Sequence, residues 1–248
     1  MMNRQLHLAS QFLAMAGKSF SAAKADDSHT NVNFDSTSRS FESWPLNDQG
    51  LQLRFDVPNF SLCWTDAAKT HFELHGKSHQ EALHWLERSA KDLGFETPYR
   101  FDLHYALDFE WDADFVFEKK NVDQIDALLA LRVLANDALG AFLEKIKLPS
   151  DVRVWPHHFD TGAFVVLEDG SGRSVGMGMA IPDSMVDQHY FYISGYHGHE
   201  GIATEDFDPL PLGEWKNEGF KGAVLAVGNH NEEAVVSFLD VAFEALTS

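Results

Sequence analysis

Phe101-Asp102-Leu103-His104-Tyr105-Ala106-Leu107-Asp108-Phe109-Glu110-Trp111-Asp112-Ala113-Asp114-Phe115-Val116-Phe117-Glu118 is the most regular stretch of the chain. Every odd position is apolar or aromatic, and the even positions are polar apart from Ala106 and Val116. Side chains alternate across a strand, so a period of two held this long predicts a strand, or a bent pair of strands, with one buried and one polar face. Asp108, Glu110, Asp112 and Asp114 then share a face at spacings of about 7 Å. Such a row could hold a hard cation through oxygen ligands or keep one carboxyl protonated by repulsion. The plainer reading is a solvated outer face.

Working outward, Asp123 to Lys147 is apolar over most of its surface (Ile125, Leu128, Leu129, Leu131, Val133, Leu134, Leu139, Phe142, Leu143), which predicts a long central packing helix ended by Pro149-Ser150. Upstream, Ser78-His79-Gln80-Glu81 has the form of a capping box, and Leu83, Leu86, Ala90 and Leu93 continue a helix to Gly94. Leu51 to Val57 and Phe60 to Trp64 alternate around Pro58-Asn59 as two strands and a turn, and Lys69 to His75 is a third candidate. Asp26 to Ser43 reads as a long ordered loop or tether. Downstream, strands are expected at Val152–Pro156, Ala163–Glu168, Ser174–Ile181, Tyr190–Ser194 and Ala223–Val227, with Asp169-Gly170-Ser171-Gly172 as a hairpin turn. Asn231 to Leu246 closes the chain as an amphipathic helix.

These elements do not alternate strictly between strand and helix, which predicts an α+β fold: two mainly antiparallel β-sheet regions, a long central helix and terminal helices. The expected division is 1–120, holding the first sheet, and 121–248, holding the central helix, second sheet and C-terminal helix. One compact domain is the other arrangement that 248 residues allow.

Composition narrows the function. There are 38 acids to 19 bases, a formal charge of −19, so phosphate backbones and anionic lipid surfaces are repelled. No nucleic-acid or membrane partner is expected. The single cysteine, Cys63, excludes an internal disulfide framework. Leu6 to Gly17 is broken by His7, Ser10 and Gln11, too polar for a signal core, while Leu6, Ala9, Leu13, Ala16 and Phe20 keep helical spacing. The expectation is a structural helix in a cytoplasmic protein.

Two nucleotide motifs fail. Gly17-Lys18-Ser19 lacks the glycine five positions earlier, where Phe12 stands. Gly170, Gly172, Gly176 and Gly178 lie between strands with no helix behind them. His71, Glu73 and His75 share one face of a candidate strand, a ligand set known for zinc or iron, but Lys69 on that face opposes a metal. The strongest constellation is Trp155-Pro156-His157-His158-Phe159-Asp160. If extended, it puts Trp155, His157 and Phe159 on one side and His158 and Asp160 on the other. With Tyr190, Tyr192 and Trp215 it would line a small-molecule pocket with an aromatic wall and a few polar groups.

Four stretches resemble a family of uncharacterised bacterial proteins, in the same order and over nearly the whole chain. They are Asp26-Asp27-Ser28-His29-Thr30-Asn31, the Trp155–Asp160 segment, Gly176-Met177-Gly178-Met179 ahead of Tyr190-Phe191-Tyr192, and Glu214-Trp215 with Glu218-Gly219-Phe220-Lys221-Gly222-Ala223-Val224-Leu225. That family has no assigned activity, so the resemblance implies no catalytic residue. It does imply that the polar loop around Asp27 and His29 is ordered and folds back towards the Trp-Pro-His-His segment. Tyr196-His197-Gly198-His199 stands where the family has an aromatic and proline-rich stretch, which weighs against ligand roles for His197 and His199.

The leading expectation is thus small-molecule binding by Trp155, His157, Tyr190, Tyr192 and Trp215, with polar contacts from His29, His158 and Asp160. Any catalysis would be hydrolytic or acid–base, with His158 as base and Asp160 orienting it. The first alternative is a non-catalytic assembly protein whose acidic face meets a basic partner. The second is metal-dependent hydrolysis by a divalent ion at His157, His158 and Asp160. The residues name no certain cofactor and leave the oligomeric state open.

Overall fold

A computed structural model describes residues 2–65 and 70–248. The fold is α+β: four helices and twelve strands among the described residues, with every strand pairing antiparallel and the 25-residue helix among the four. The chain divides into two compact units. The first runs to Leu131 and includes Val154–His158; the second is Arg132–Arg153 with Phe159–Ser248.

The first unit opens with α1 (Met2–Phe20). This helix is not amphipathic in place: Gln5, His7, Ser10 and Gln11 are as buried as Leu6, Ala9 and Leu13. Its buried polar side chains are met by hydrogen bonds, so the polar interruptions of the apolar run form an internal network. The predicted loop Asp26–Ser43 is instead a 3-10 turn (Ser28–Thr30) followed by a hairpin of β1 (Val32–Asp35) and β2 (Ser40–Ser43). Next come β3 (Leu53–Asp56), β4 (Ser61–Trp64) and β5 (His71–Glu73), close to the predicted positions; Lys69 lies outside the described residues. Val32 pairs with Val154 of β6 (Arg153–Trp155), so the order across this unit is β6-β1-β2-β3-β4-β5. Helix α1 packs on β1, β2 and β3 and on the 3-10 turn. Gly17 permits that last contact: a Cβ there would lie 2.3 Å from the His29 carbonyl oxygen.

Helix α2 (His79–Asp92) starts at the expected capping box, with Glu81 N–H donating to Ser78 Oγ and Ser78 N–H to a Glu81 carboxylate oxygen. The stretch Phe101–Glu118, predicted as a strand, is not one. Among the described residues its only ladder contact is an isolated bridge between Ser78 and Val116. The period of two is nevertheless real in its exposure, since odd positions are half-buried up to Trp111 while even positions face water. The reason is that the segment packs on α1 through its aromatic side chains: Phe101 and Phe117 meet Phe12, and Phe109 meets His7. Asp108, Glu110, Asp112 and Asp114 are all exposed, as on a solvated face.

Helix α3 (Val122–Ile146) matches the predicted central helix, and the division between units falls within it. In the second unit β7 (Asp160–Val166), β8 (Arg173–Ala180) and β9 (Tyr190–His197) form a meander, with Asp169–Gly172 turning the first hairpin as expected. The short β10 (Glu200–Gly201) adds to β9, while β11 (Glu214–Lys216) and β12 (Gly222–Ala226) complete the order β7-β8-β9-β12-β11. Helix α4 (Glu232–Thr247), N-capped by Asn231, packs on the β9 face that carries Phe191, Ile193 and Gly195. Tyr190, Tyr192, Ser194 and Tyr196 occupy the opposite face by alternation.

Candidate functional site

The Trp-Pro-His-His-Phe-Asp segment is not extended. Strand β6 ends at Trp155, residues 156–159 form a turn, Phe159 takes a left-handed conformation (φ 59°), and β7 begins at Asp160. A turn has no alternation of sides, so the expected partition of the six side chains does not hold. The unit boundary falls between His158 and Phe159, and each half has its own surroundings.

In the first unit the Pro156 carbonyl accepts from His7 Nε2 at 2.7 Å and from Gln11 Nε2 at 2.8 Å. Gln11 Oε1 accepts in turn from the Tyr105 hydroxyl at 2.7 Å, so two polar residues of α1 fix the turn and the tyrosine together. The His157 ring lies 5.8 Å from Tyr105, 6.3 Å from Trp155 and 4.4 Å from His158. His158 Nδ1 lies 3.5 Å from a carboxylate oxygen of Asp108, and both groups are well exposed. The acid beside His158 is therefore Asp108. His29 is buried and accepts from the Lys24 backbone N–H at 3.3 Å. Burial holds its imidazole below the ordinary range, opposed by nearby Asp27 and reinforced by His104. His104 itself lies 3.5 Å from Asp27.

In the second unit Arg132, on α3, is only 5% exposed. It donates through Nη1 to Thr161 Oγ1 at 2.7 Å and through Nη2 to the Phe159 carbonyl, and its guanidinium lies 4.2 Å from the centre of the Phe159 ring. Burial pulls its pKa down to about 10, against the opposing charge of Asp160. Asp160 is 8% exposed. One carboxylate oxygen, Oδ2, accepts from the Tyr192 hydroxyl; the other, Oδ1, is buried and has no donor among the described residues. Tyr192 reaches it across β8 because its cross-strand neighbour is Gly178. A Cβ at Gly178 would sit 2.5 Å from the Thr161 carbonyl and 2.7 Å from the Tyr192 hydroxyl. Burial, then the Asp160 charge, pushes the Tyr192 phenol well above its usual range. Tyr190, two residues away on the same face, donates to Asp183 at 2.6 Å and is raised by burial and that carboxylate. His189 is driven down to about 4 by burial and by Arg132.

The structure thus brings Asp160 and Tyr192 into direct contact, with Tyr190 beside them, and groups Trp155, His157 and His158 with Tyr105 and Asp108. Trp215 stands apart on β11, its indole N–H donating to the Asp208 carbonyl at 3.0 Å and its ring edge-on to Phe207. His71, Glu73 and His75 are all exposed, and His75 Nδ1 accepts from the Lys119 N–H. Sequence reasoning passed over Arg132 and Tyr105, weighed Gly178 only within a failed nucleotide motif and a resemblance, and weighed Asp108 only within a row of carboxylates. Arg132 had a readable signal, since it falls seven residues after Ile125 on the buried stripe of an apolar helix.

Among the described residues, no group of three or more histidine, cysteine, aspartate or glutamate side chains is arranged to hold a metal ion. No helix among them is long and apolar enough to cross a membrane. No family model, curated protein or solved structure matches the chain.

Proposed function

We propose that the protein binds a small molecule in the second unit at Asp160, with Tyr190 and Tyr192 as the aromatic wall. The observation that carries this reading is the Oδ1 oxygen of Asp160, buried and lacking a donor while its twin is held by Tyr192. An unmet buried acceptor costs about 1–3 kcal/mol, more when the group is charged. A ligand N–H or O–H would remove that cost on binding. The aromatic face supplies apolar area and the carboxylate supplies direction, the usual division of labour in a small-molecule site. We also propose a cytoplasmic location. It draws on the single cysteine, which suits a reducing compartment.

The test is a thermal-shift and calorimetric screen of small amines and hydroxyl compounds against the protein and Asp160→Asn. A ligand whose affinity drops at least tenfold in the variant supports the reading. Ligands that bind both proteins equally, or none that bind, refute it.

A second reading, acid–base catalysis, is favoured by the 3.5 Å approach of His158 Nδ1 to Asp108. A carboxylate on Nδ1 would orient the ring with Nε2 turned to a substrate, the arrangement of a base and its orienting acid. Loss of a detected hydrolytic activity in both His158→Ala and Asp108→Asn supports it. Activity untouched by His158→Ala removes it.

A further inference from the structure

The first unit carries an open recess on its surface. It lies between α2 and β5, encloses about 520 Å³, and is lined by Phe72 of β5 and by Gln80, Glu81, His84, Trp85 and Arg88 of α2. Glu81, His84, Trp85 and Arg88 recur at i, i+3, i+4 and i+7, so a single stripe of the helix faces it. The Phe72 and Trp85 rings, both half-buried, stack with centroids 5.5 Å apart and 26° between their planes. They form an apolar shelf that stays open to solvent on one side.

The charges around the shelf are not equivalent. Glu81 is engaged twice, in the helix cap and with Lys77 at 3.0 Å. Arg88 donates to His84 Nε2 at 2.9 Å and, among the described residues, forms no ion pair, although the chain has twice as many acids as bases. A guanidinium presents five donors in a planar fork suited to a carboxylate. Its single donation to an imidazole steadies the fork and leaves N–H groups for a bidentate acceptor. The neighbouring Glu81 carboxylate disfavours a dianion, and Arg88 repels an amine.

We propose that this recess is a binding site for an aromatic monocarboxylate, its ring laid on Trp85 and Phe72 and its carboxylate forked by Arg88. The probe is 2-naphthoate, with the neutral 2-naphthamide as its control, titrated into the full-length protein and followed by nitrogen–proton correlation spectra. The expected result is a saturable shift of the Trp85 indole N–H and the Arg88 Nε–H. Affinity should fall roughly tenfold or more for the amide, and as much for 2-naphthoate on Arg88→Gln, because a charge-assisted pair is lost in each case. Arg88 is exposed, so its replacement leaves the fold intact; an unchanged melting temperature verifies this. Equal binding of acid and amide, equal binding to Arg88→Gln, or no saturable shift at Trp85 overturns the proposal. Asp160→Asn leaves this binding unchanged, which separates it from the site in the second unit.

Discussion

Acidification should weaken the first unit through His79. The imidazole is 2% exposed, stacked on Phe12 at 5.0 Å and set against Phe101 and Trp111 at 4.6 Å, and its Nε2 has no hydrogen-bond partner among the described residues. Burial alone pulls its pKa from 6.5 to about 4. The folded value lies below the unfolded one, so the unfolded chain takes up the proton first. The contribution is fully present above pH 6.5 and is lost as the pH falls towards 4. Between pH 7.5 and pH 5 those two pKa values correspond to a loss of about 2 kcal/mol. In a chain of this size that is a drop in melting temperature of roughly 4–8 °C. His79→Leu removes the titration at similar volume, and comparing the two pH slopes cancels whatever the substitution costs in packing. The wild type should lose about 2 kcal/mol more than the variant across this range. The other histidines titrate in both proteins and drop out. Parallel slopes, or an imidazole that titrates near 6.5 by NMR, would refute the reasoning.

Gly178→Ala places a methyl against the Thr161 carbonyl and the Tyr192 hydroxyl, and should destabilise the second unit by about 1–3 kcal/mol in urea unfolding. It should also displace Tyr192 from Asp160, read in the near-ultraviolet circular dichroism. Gly17→Ala should gain close to 1 kcal/mol if helix propensity alone decides, but its Cβ would collide with the His29 carbonyl, so a net loss is expected. A higher melting temperature would show that α1 and the 3-10 turn can separate freely. Arg132→Met strips two donations and leaves Asp160 without a neighbouring cation, for an expected loss of about 3–5 kcal/mol. Arg132→Lys should recover little of it, since an ammonium cannot span both acceptors and stack on Phe159.

Helices were legible wherever local chemistry alone defines them. The capping box at Ser78 and the apolar run of α3 placed both helices within a residue or so of their observed ends. The hairpins around Asn59 and Gly170 were legible for the same reason, because a turn residue and two alternating runs are neighbours in sequence. Phe101–Glu118 was not, because a period of two reports which side meets the core and is silent on whether a ladder partner exists. Strands β1 and β2 hid in a stretch rich in serine, threonine and aspartate: Ser40 and Ser43 are buried by the fold, not by their own apolarity. The candidate site followed the same rule. Asp160 and Tyr192 were identifiable as residue types worth placing in a site, but their contact depends on the absence of a side chain at Gly178. The His158 partner lies fifty residues upstream, in the segment whose conformation was misread.

Polar groups inside both units separate structure from function. The polar side chains of α1 are nearly all spent: His7 and Gln11 on the Pro156 carbonyl, Ser10 on the His7 carbonyl, and Gln5 on the Glu118 N–H. Against that background the unmet nitrogen of His79 and the unmet oxygen of Asp160 are not alike. His79 sits among Phe12, Phe101 and Trp111, and becomes tolerable there by staying neutral, which its depressed pKa records. A neutral imidazole in an aromatic setting is a stability cost of about 1–3 kcal/mol that good ring packing offsets. Asp160 is placed otherwise. Tyr192 donates to one of its oxygens and the Arg132 cation stands near it. A buried carboxylate oxygen left without a donor costs more than a neutral imidazole nitrogen. Nothing about the Tyr192 geometry relieves it, since the phenol has a single proton to give. The difference in charge, not the shared lack of a partner, makes Asp160 the position where an incoming donor gains most.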